Sequence, residues 1–299
     1  MTSTPVIDMF SGTGELARAV SAGLQGPARP MSFSDSYGPA RKYLQKRFPD
    51  ARVHKDFRSQ TVPHGSIVTI GAPYQDLSVA GKRAGAERGS GTRRSLIHAA
   101  LSRAVAGGAN LIVAENVPGG HSIYLALADW LAKEHHYRTT VSSAGAWEVG
   151  APHRRERIML VAARGHFEPR HLNVVRQVAP QPMVPTPTAS SSTGPSRSRR
   201  NGGANLQTWI HEGNYPEPSD VVLWSRITGQ MPPLCKDSEG RMNAAFVEWL
   251  MGLPTDNAMG LSRTARIRLA GNAVVRLQAR LMLQRGLLAV GNINLKGVL

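Results

Sequence analysis

Three short stretches place reactive side chains where a fold could use them. Tyr74 ends the run Ile67-Val-Thr-Ile-Gly-Ala-Pro-Tyr74, four β-branched residues of buried-strand character entering a tight turn. A strand that closes on such a turn delivers one side chain at its tip. The small-residue and basic loop that follows, Ala80-Gly-Lys-Arg-Ala-Gly85 with Arg88, Arg93 and Arg94, reads as a cover, and α/β enzymes commonly build sites in this way. Glu115 and Asn116 end a second apolar run, Leu111-Ile-Val-Ala114. Ser11-Gly-Thr-Gly14 joins the strand-like Val6–Phe10 to a helix-like run from Glu15 to Leu24. Strand, glycine turn and helix can admit a phosphate or nucleotide, because glycine lets the backbone approach and a helix start offers free N–H groups. A two-glycine turn is more often only a turn. Asp35, about twenty residues further at the tip of Pro30–Ser34, stands either as a ribose-hydroxyl acceptor or as a cap for the next helix.

The elements that must position these residues alternate. Strand-like runs fall at Val6–Phe10, Pro30–Ser34, near Val53, Ile67–Ile70, Leu111–Val117, Tyr137–Ser143 and Arg157–Ala163. Helical patterns cover Glu15–Leu24, Pro39–Phe48, Ser95–Val105 and Ile123–Glu134. Alternation over some 160 residues predicts a doubly wound, mostly parallel α/β sheet. Composition shifts after Arg164: from Ala151 to Asn205 there are nine arginines against two acids, with Pro180–Pro187 rich in proline and Ser190–Arg200 in Ser, Gly and Arg. That stretch reads as a small irregular basic domain, with a disordered linker as the alternative. Regular pattern returns at Asn243–Pro254, a short amphipathic helix, then at Arg266–Val275 and a helix to about Leu288. The expected division is a domain over 1–164, a recognition region over 165–241 and a returning segment over 242–299.

With 299 residues and 41% hydrophobic content the chain can bury one large core or two modest ones. Thirty-six Lys and Arg against 20 acids give +16, which points to a polyanion, nucleic acid before anionic membrane. One cysteine, Cys235, excludes an internal disulfide and a multi-thiolate metal site; no metal is expected. The N-terminus lacks a signal-peptide pattern and no apolar run approaches the ~18–20 residues of a membrane span, so a cytoplasmic protein without a membrane partner is expected.

Six stretches agree in type and order with one family. Asp8-Met-Phe-Ser-Gly-Thr-Gly14 resembles the Asp-Leu-Phe-x-Gly-x-Gly opening of DNA (cytosine-5)-methyltransferases, particularly the compact type of bacteria and their phages. Gly71–Ser78 is similar to that family's Pro-Cys-Gln block, Glu115-Asn-Val117 to its Glu-Asn-Val, and Gly150–Ile158 to its Gln-x-Arg-x-Arg block. Phe246–Pro254 and Gly271–Val274 resemble the two closing motifs. Val184–Ala189 and Gly202–Leu206 look like the brief target-recognition part of compact members.

The resemblance implies the class I fold that binds S-adenosylmethionine (SAM), and double-stranded DNA as partner. Phe10, Gly12, Gly14 and Pro73 would surround SAM, with Asp35 on its ribose. Asp56 would meet the adenine amino group with Phe57 beside the ring, and Asn272 would close the methionine end. Such enzymes flip cytosine out of the duplex, attack C6 with a cysteine thiolate and support N3 with a glutamate, so that C5 takes the methyl group. Glu115 stands at the glutamate's position, and Arg155 and Arg157 at those of the base- and DNA-holding arginines; otherwise the trio is a salt-bridged sheet edge. His153 replaces the usual Gln, and Arg276 stands where compact members often carry Pro. The nucleophile's position holds Tyr74. A phenol titrates near 10 and a thiol near 8.5, and the ring would fill much of the slot for the flipped base. The resemblance therefore implies either a methyltransferase lacking its conventional nucleophile or a monomeric SAM- and DNA-binding pseudoenzyme that masks sites or assists an active DNA-modifying partner.

Overall fold

A computed structural model describes residues 4–24, 28–73, 93–164, 218–255 and 260–291. Seven strands form one sheet: β1 (Thr4–Met9), β2 (Ala28–Ser34), β3 (Arg52–His54), β4 (Ile67–Ile70), β5 (Leu111–Asn116), β6 (Arg138–Gly145) and β7 (Glu156–Ala163). Their spatial order is β3-β2-β1-β4-β5-β7-β6. The first five run parallel, and β7 lies antiparallel to both β5 and β6. This is the expected doubly wound, mostly parallel sheet of the class I SAM-dependent methyltransferases.

Both faces of the sheet are covered, as the sequence of its central strands requires. Side chains alternate across a strand, and each alternate set of β1, β4 and β5 is apolar. Val6, Ile67, Leu111 and Val113 join one core with α1 (Glu15–Gly23) and a C-terminal helix, Arg276–Ala289. Ile7, Val68, Ile70 and Ile112 join the other with α3 (Arg93–Ala106) and α4 (His121–His135). Polar residues at the strand tips follow the same alternation, so Asp8, Thr69, Glu115 and Arg157 share the face that carries α1. The remaining helix of this half, α2 (Gly38–Arg47), has its proline in the first turn, where the missing N–H costs nothing.

The second half of the chain adds α5 (Pro218–Thr228), α6 (Ala244–Leu250), α7 (Arg263–Asn272) and α8 (Arg276–Ala289). Asn243 caps α6 by accepting from the N–H of Ala245, and Ser262 caps α7 by accepting from that of Ala265. Trp224 of α5 is 1% exposed and donates its indole N–H to the carbonyl of Trp249 at 2.8 Å. Helix α5 therefore belongs to the same core as α6. It falls within the segment read from sequence as irregular, most of which lies outside the described residues. Helix α8 packs on α1 and the β6–β7 edge, where Ser142 Oγ donates to the carbonyl of Met282 at 3.0 Å. No helix among the described residues is long and apolar enough to cross a membrane, and among them no three metal-ligating side chains cluster.

Candidate active site

Strand order reverses between β1 and β4, and ligands of open α/β sheets bind outside the carboxyl ends of strands at such a point. A cavity of about 560 Å³ opens there. Its wall includes Phe10, Gly12, Asp35, Pro73, Glu115, Arg155, Arg157 and Asn272, eight of the residues singled out in the sequence. Pieces separated by up to some 260 residues are thus brought to one space.

The loop after β1 carries backbone strain. Phe10 adopts φ 58°, a left-handed conformation that a bulky side chain holds only when its surroundings enforce it. The enforcing contacts are close: Ser11 and Ser34 exchange backbone and hydroxyl hydrogen bonds, and the N–H of Gly71 donates to the carbonyl of Met9. Gly12 and Gly14 both have positive φ but face different things. A Cβ on Gly12 would meet nothing within 4 Å, whereas one on Gly14 would press on Phe33 and Phe48 at 3.0 Å. Gly12 leaves space in the cavity; Gly14 lets the loop pack on the core and does not line the cavity.

Asp35 lines the cavity and is not the N-cap of α2, a position that Tyr37 takes. Its Oδ2 accepts from the N–H of Gly12 and its Oδ1 from that of Tyr37, both at 2.8 Å, tying the glycine loop to the entry of α2. A carboxylate offers about four lone-pair sites, so acceptor capacity remains toward the cavity. Asp56 is not brought to the cavity. It caps the short 3-10 turn Phe57–Ser59 and pairs with Arg58 at 3.0 Å. The backbone N–H of Arg58 is the main reason its carboxyl titrates below the usual range. Phe57 is buried and reaches the site through Phe10, whose ring centroid lies 5.0 Å away.

On the far wall, Glu115 is buried and lies 3.0 Å from Nε of Arg157, an ion pair whose alignment is too poor to count as a hydrogen bond. Burial raises the Glu115 carboxyl, and Arg157 and then Arg155 pull it back. Arg155 donates from Nη2 to the carbonyl of Ala273 at 2.8 Å. Burial, then its neighbour Arg157, lowers its guanidinium to about 10. His153 sits 2.9 Å from the carbonyl of Leu250, and burial depresses its imidazole to about 4. The carbonyl can only accept, so His153 is neutral and donates from Nε2. Tyr74 lies outside the described residues.

Several residues of the site take their roles only from the structure. Asp8 is fully buried and lines the cavity: its Oδ1 accepts from Thr69 Oγ1 at 2.5 Å, while Oδ2 has no partner among the described residues. Gln60 bonds beneath it to the carbonyl of Asp8 and to Ser32 and Ser34. Asn116 donates to the carbonyl of Ala72 and to the hydroxyl of Tyr124, which in turn donates to the carbonyl of Glu115. These bonds fix the tip of β5 against the turn before Pro73. Glu15, 1% exposed in its side chain, pairs with Arg18 and Arg276 at 2.7 Å each. Most of these contacts join residues distant in sequence; the exceptions include Glu15 with Arg18 and Asn116 with Tyr124.

Sheet order, the position of the cavity and its glycine loop define a class I SAM-dependent methyltransferase fold. Residues 4–201 match the model of the C-5 cytosine-specific DNA methylases, and the chain belongs to that family. It is 25% identical over 291 residues to the type II methyltransferase M2.BsuMI of Bacillus subtilis (strain 168), covering 90% of this chain and 72% of that protein. It is 27% identical over 174 residues to the type II methyltransferase M.CviJI of Paramecium bursaria Chlorella virus IL3A, covering 56% of this chain and 45% of the relative. The crystal structure of S. pombe Dnmt2 methyltransferase shares the fold with a TM-score of 0.58 at 14% identity, covering 94% of this chain and 99% of that one.

Proposed function

We propose that this chain binds SAM in the cavity at the β1–β4 switch point, holds double-stranded DNA with a flipped base beside Glu115, and does not perform thiolate-dependent C5 transfer. The observation that carries the cofactor reading is the buried Oδ2 of Asp8, which has no partner among the described residues and belongs to a side chain lining a cavity into which Gly12 projects no side chain. SAM is cationic at its sulfonium and ammonium groups, and a carboxylate oxygen without a partner suits such a ligand. The volume also lies within the ~300–1,000 Å³ usual for small-molecule sites.

In this reading Phe10, Gly12, Pro73 and Asn272 enclose the cofactor, Asp35 takes the ribose hydroxyls, Gly14 shapes the loop and Phe57 backs Phe10. Asp56 would meet the adenine only by leaving its present pairing with Arg58. Bound SAM supplies an electrophilic methyl group. Glu115, its carboxyl raised by burial, is suited to hold a proton at N3 of the base, and Arg157 orients it. The missing part is the nucleophile. At neutral pH about one phenol in a thousand is ionised, against a few per cent of ordinary thiols, and Tyr74 also brings a ring where the family carries a small side chain. The role that remains is that of a monomeric cytoplasmic SAM- and DNA-binding protein that masks sites or assists an active DNA-modifying enzyme. In it residues 1–164 and 242–299 make one body together with α5, supported by the Glu15–Arg276 pair and by Trp224 against Trp249, and the part of 165–241 outside α5 reads the target.

Isothermal titration with SAM tests the cofactor site, and absence of binding refutes this reading. Tritiated-methyl transfer to mixed-sequence DNA tests the chemistry. We expect no label on cytosine C5 from the wild type and gain of labelling by Tyr74→Cys. Labelling by the wild type would show that Tyr74 does not block the reaction.

A further inference from the structure

The first turn of α8 joins the cavity wall to Arg155. Gln278 is fully buried there, and its Nε2 donates to the carbonyl of Ala144 at 2.8 Å and to the carbonyl of Arg155. Both neighbours are acceptors, which fixes the amide with its NH₂ group toward them. Its Oε1 is then buried with no partner among the described residues. An unpaired buried acceptor is destabilising, while the two donated bonds tie α8 to β6 and to the backbone of Arg155. Two further bonds meet at this turn. Arg155 Nη2 donates to the carbonyl of Ala273, and Arg276 Nε donates to Glu15, the first residue of α1 after the glycine loop. The segment Gly271–Val274 lines the cavity immediately before α8 begins. It is bonded directly to the guanidinium of Arg155, which lines the same cavity.

We propose that this turn links the two halves of the site: a ligand packed against Gly271–Val274 fixes α8, and Gln278 and Ala273 transmit that position to Arg155. Gln278 is then a positioning residue. It touches neither ligand and acts through the backbone and guanidinium of Arg155. The link rests on the reading of the cavity as the cofactor site. Its energetic content is a coupling between sites, and linkage makes it reciprocal.

Hydrogen exchange with and without SAM tests it on the full chain. The reporter is the backbone over residues 144–157, above all the N–H of Ala146, which donates to the carbonyl of Arg155 at 3.0 Å. Peptides from α4 provide the reference for any general stabilisation. Saturating SAM should slow exchange over 144–157 about fivefold or more relative to α4, the low end of usual site-to-site coupling. Gln278→Met should bind SAM yet lose that selective slowing. A variant that transmits as the wild type does overturns the proposal. The wild-type arm decides the matter even if the variant folds poorly: binding of SAM without protection of 144–157 overturns the link alone, and failure to bind SAM overturns the link together with the cofactor reading.

Discussion

Asp8→Asn should change how stability depends on pH, by an amount set by the burial of one carboxyl. Asp8 is held by Thr69 on one oxygen and by nothing on the other, and burial, partly offset by its hydrogen bonds with Thr69 and Ser11, raises its pKa from 3.8 to about 7. A raised folded-state pKa means that the folded chain holds this proton between about pH 4 and 7 where the unfolded chain has lost it. Stability is then greatest below the unfolded value and falls as pH rises through 7. At 1.36 kcal/mol per pKa unit, the loss attributable to Asp8 between about pH 5 and 8.5 is about 3 kcal/mol. Asparagine keeps the shape and the acceptor for Thr69 but cannot ionise. The Tm of the variant minus that of the wild type should therefore rise by ~6–12 °C across this range, for a body of about 200 ordered residues. Thermal unfolding followed by circular dichroism at several pH values measures it. Other titrating groups, His153 among them, are common to both chains and cancel in the difference. A difference in Tm that stays constant with pH would refute the argument, because it would mean that Asp8 is ionised throughout or exposed.

The other tests concern neighbouring parts of the site. Arg276→Leu should destabilise the fold by about 1–2 kcal/mol in denaturant titrations, since Arg18 still holds the buried Glu15 and the Arg276 side chain is itself 34% exposed; a neutral result would mean the pair contributes nothing. Gly14→Ala should cost more stability than Gly12→Ala, because both suffer at positive φ but only Gly14 would press on Phe33 and Phe48. By contrast, isothermal titration should find SAM binding weakened by Gly12→Ala beyond its effect on Tm. His153→Gln should remove an acid-sensitive component of stability: the folded pKa near 4 lies below the ordinary 6.5, so the wild type loses stability as pH falls from about 6.5 toward 4 and the variant loses less.

The fold was legible where period and strand tips speak locally. The runs read as strands at Ile67–Ile70 and Leu111–Val117 lie within a residue of those observed, and the glycine loop, Asp35, Glu115 and Asn272 fall in one cavity. The alternation also places Asp8 and Glu115 on one face of the sheet. The antiparallel insertion of β7 between β5 and β6 has no local signature, because its pairing with β5, from Asn116↔Ile158 to Leu111↔Ala163, is made at long range. Helix α5 was missed: its eleven residues lie beside a Pro- and Ser-rich stretch, and burial of Trp224 against Trp249 supports it rather than any strong pattern of its own. Asp56 differs: its motif position suggests a ligand contact, and in the structure its carboxylate accepts from the backbone N–H and guanidinium of Arg58, two residues on. The polar network of Asp8, Thr69, Gln60 and Ser34 joins residues 26 to 61 positions apart, which no window of sequence reports.

Two of the departures from the family pattern, Arg276 and Tyr74, have different physical consequences. Arg276 replaces a residue without charge, yet its guanidinium meets Glu15 at 2.7 Å and compensates a carboxylate whose side chain is 1% exposed. Arg18 already pairs with this carboxylate, so Arg276 adds a second partner on the other oxygen and joins α8 to the first residue of α1. Tyr74 has no such compensation among the groups that could supply a nucleophile: Cys235 lies in the loop before α6, where its backbone pairs with Asn243, and it does not line the cavity. The Glu15–Arg276 and Arg155–Ala273 bonds that close the cavity wall do not involve the nucleophile's position.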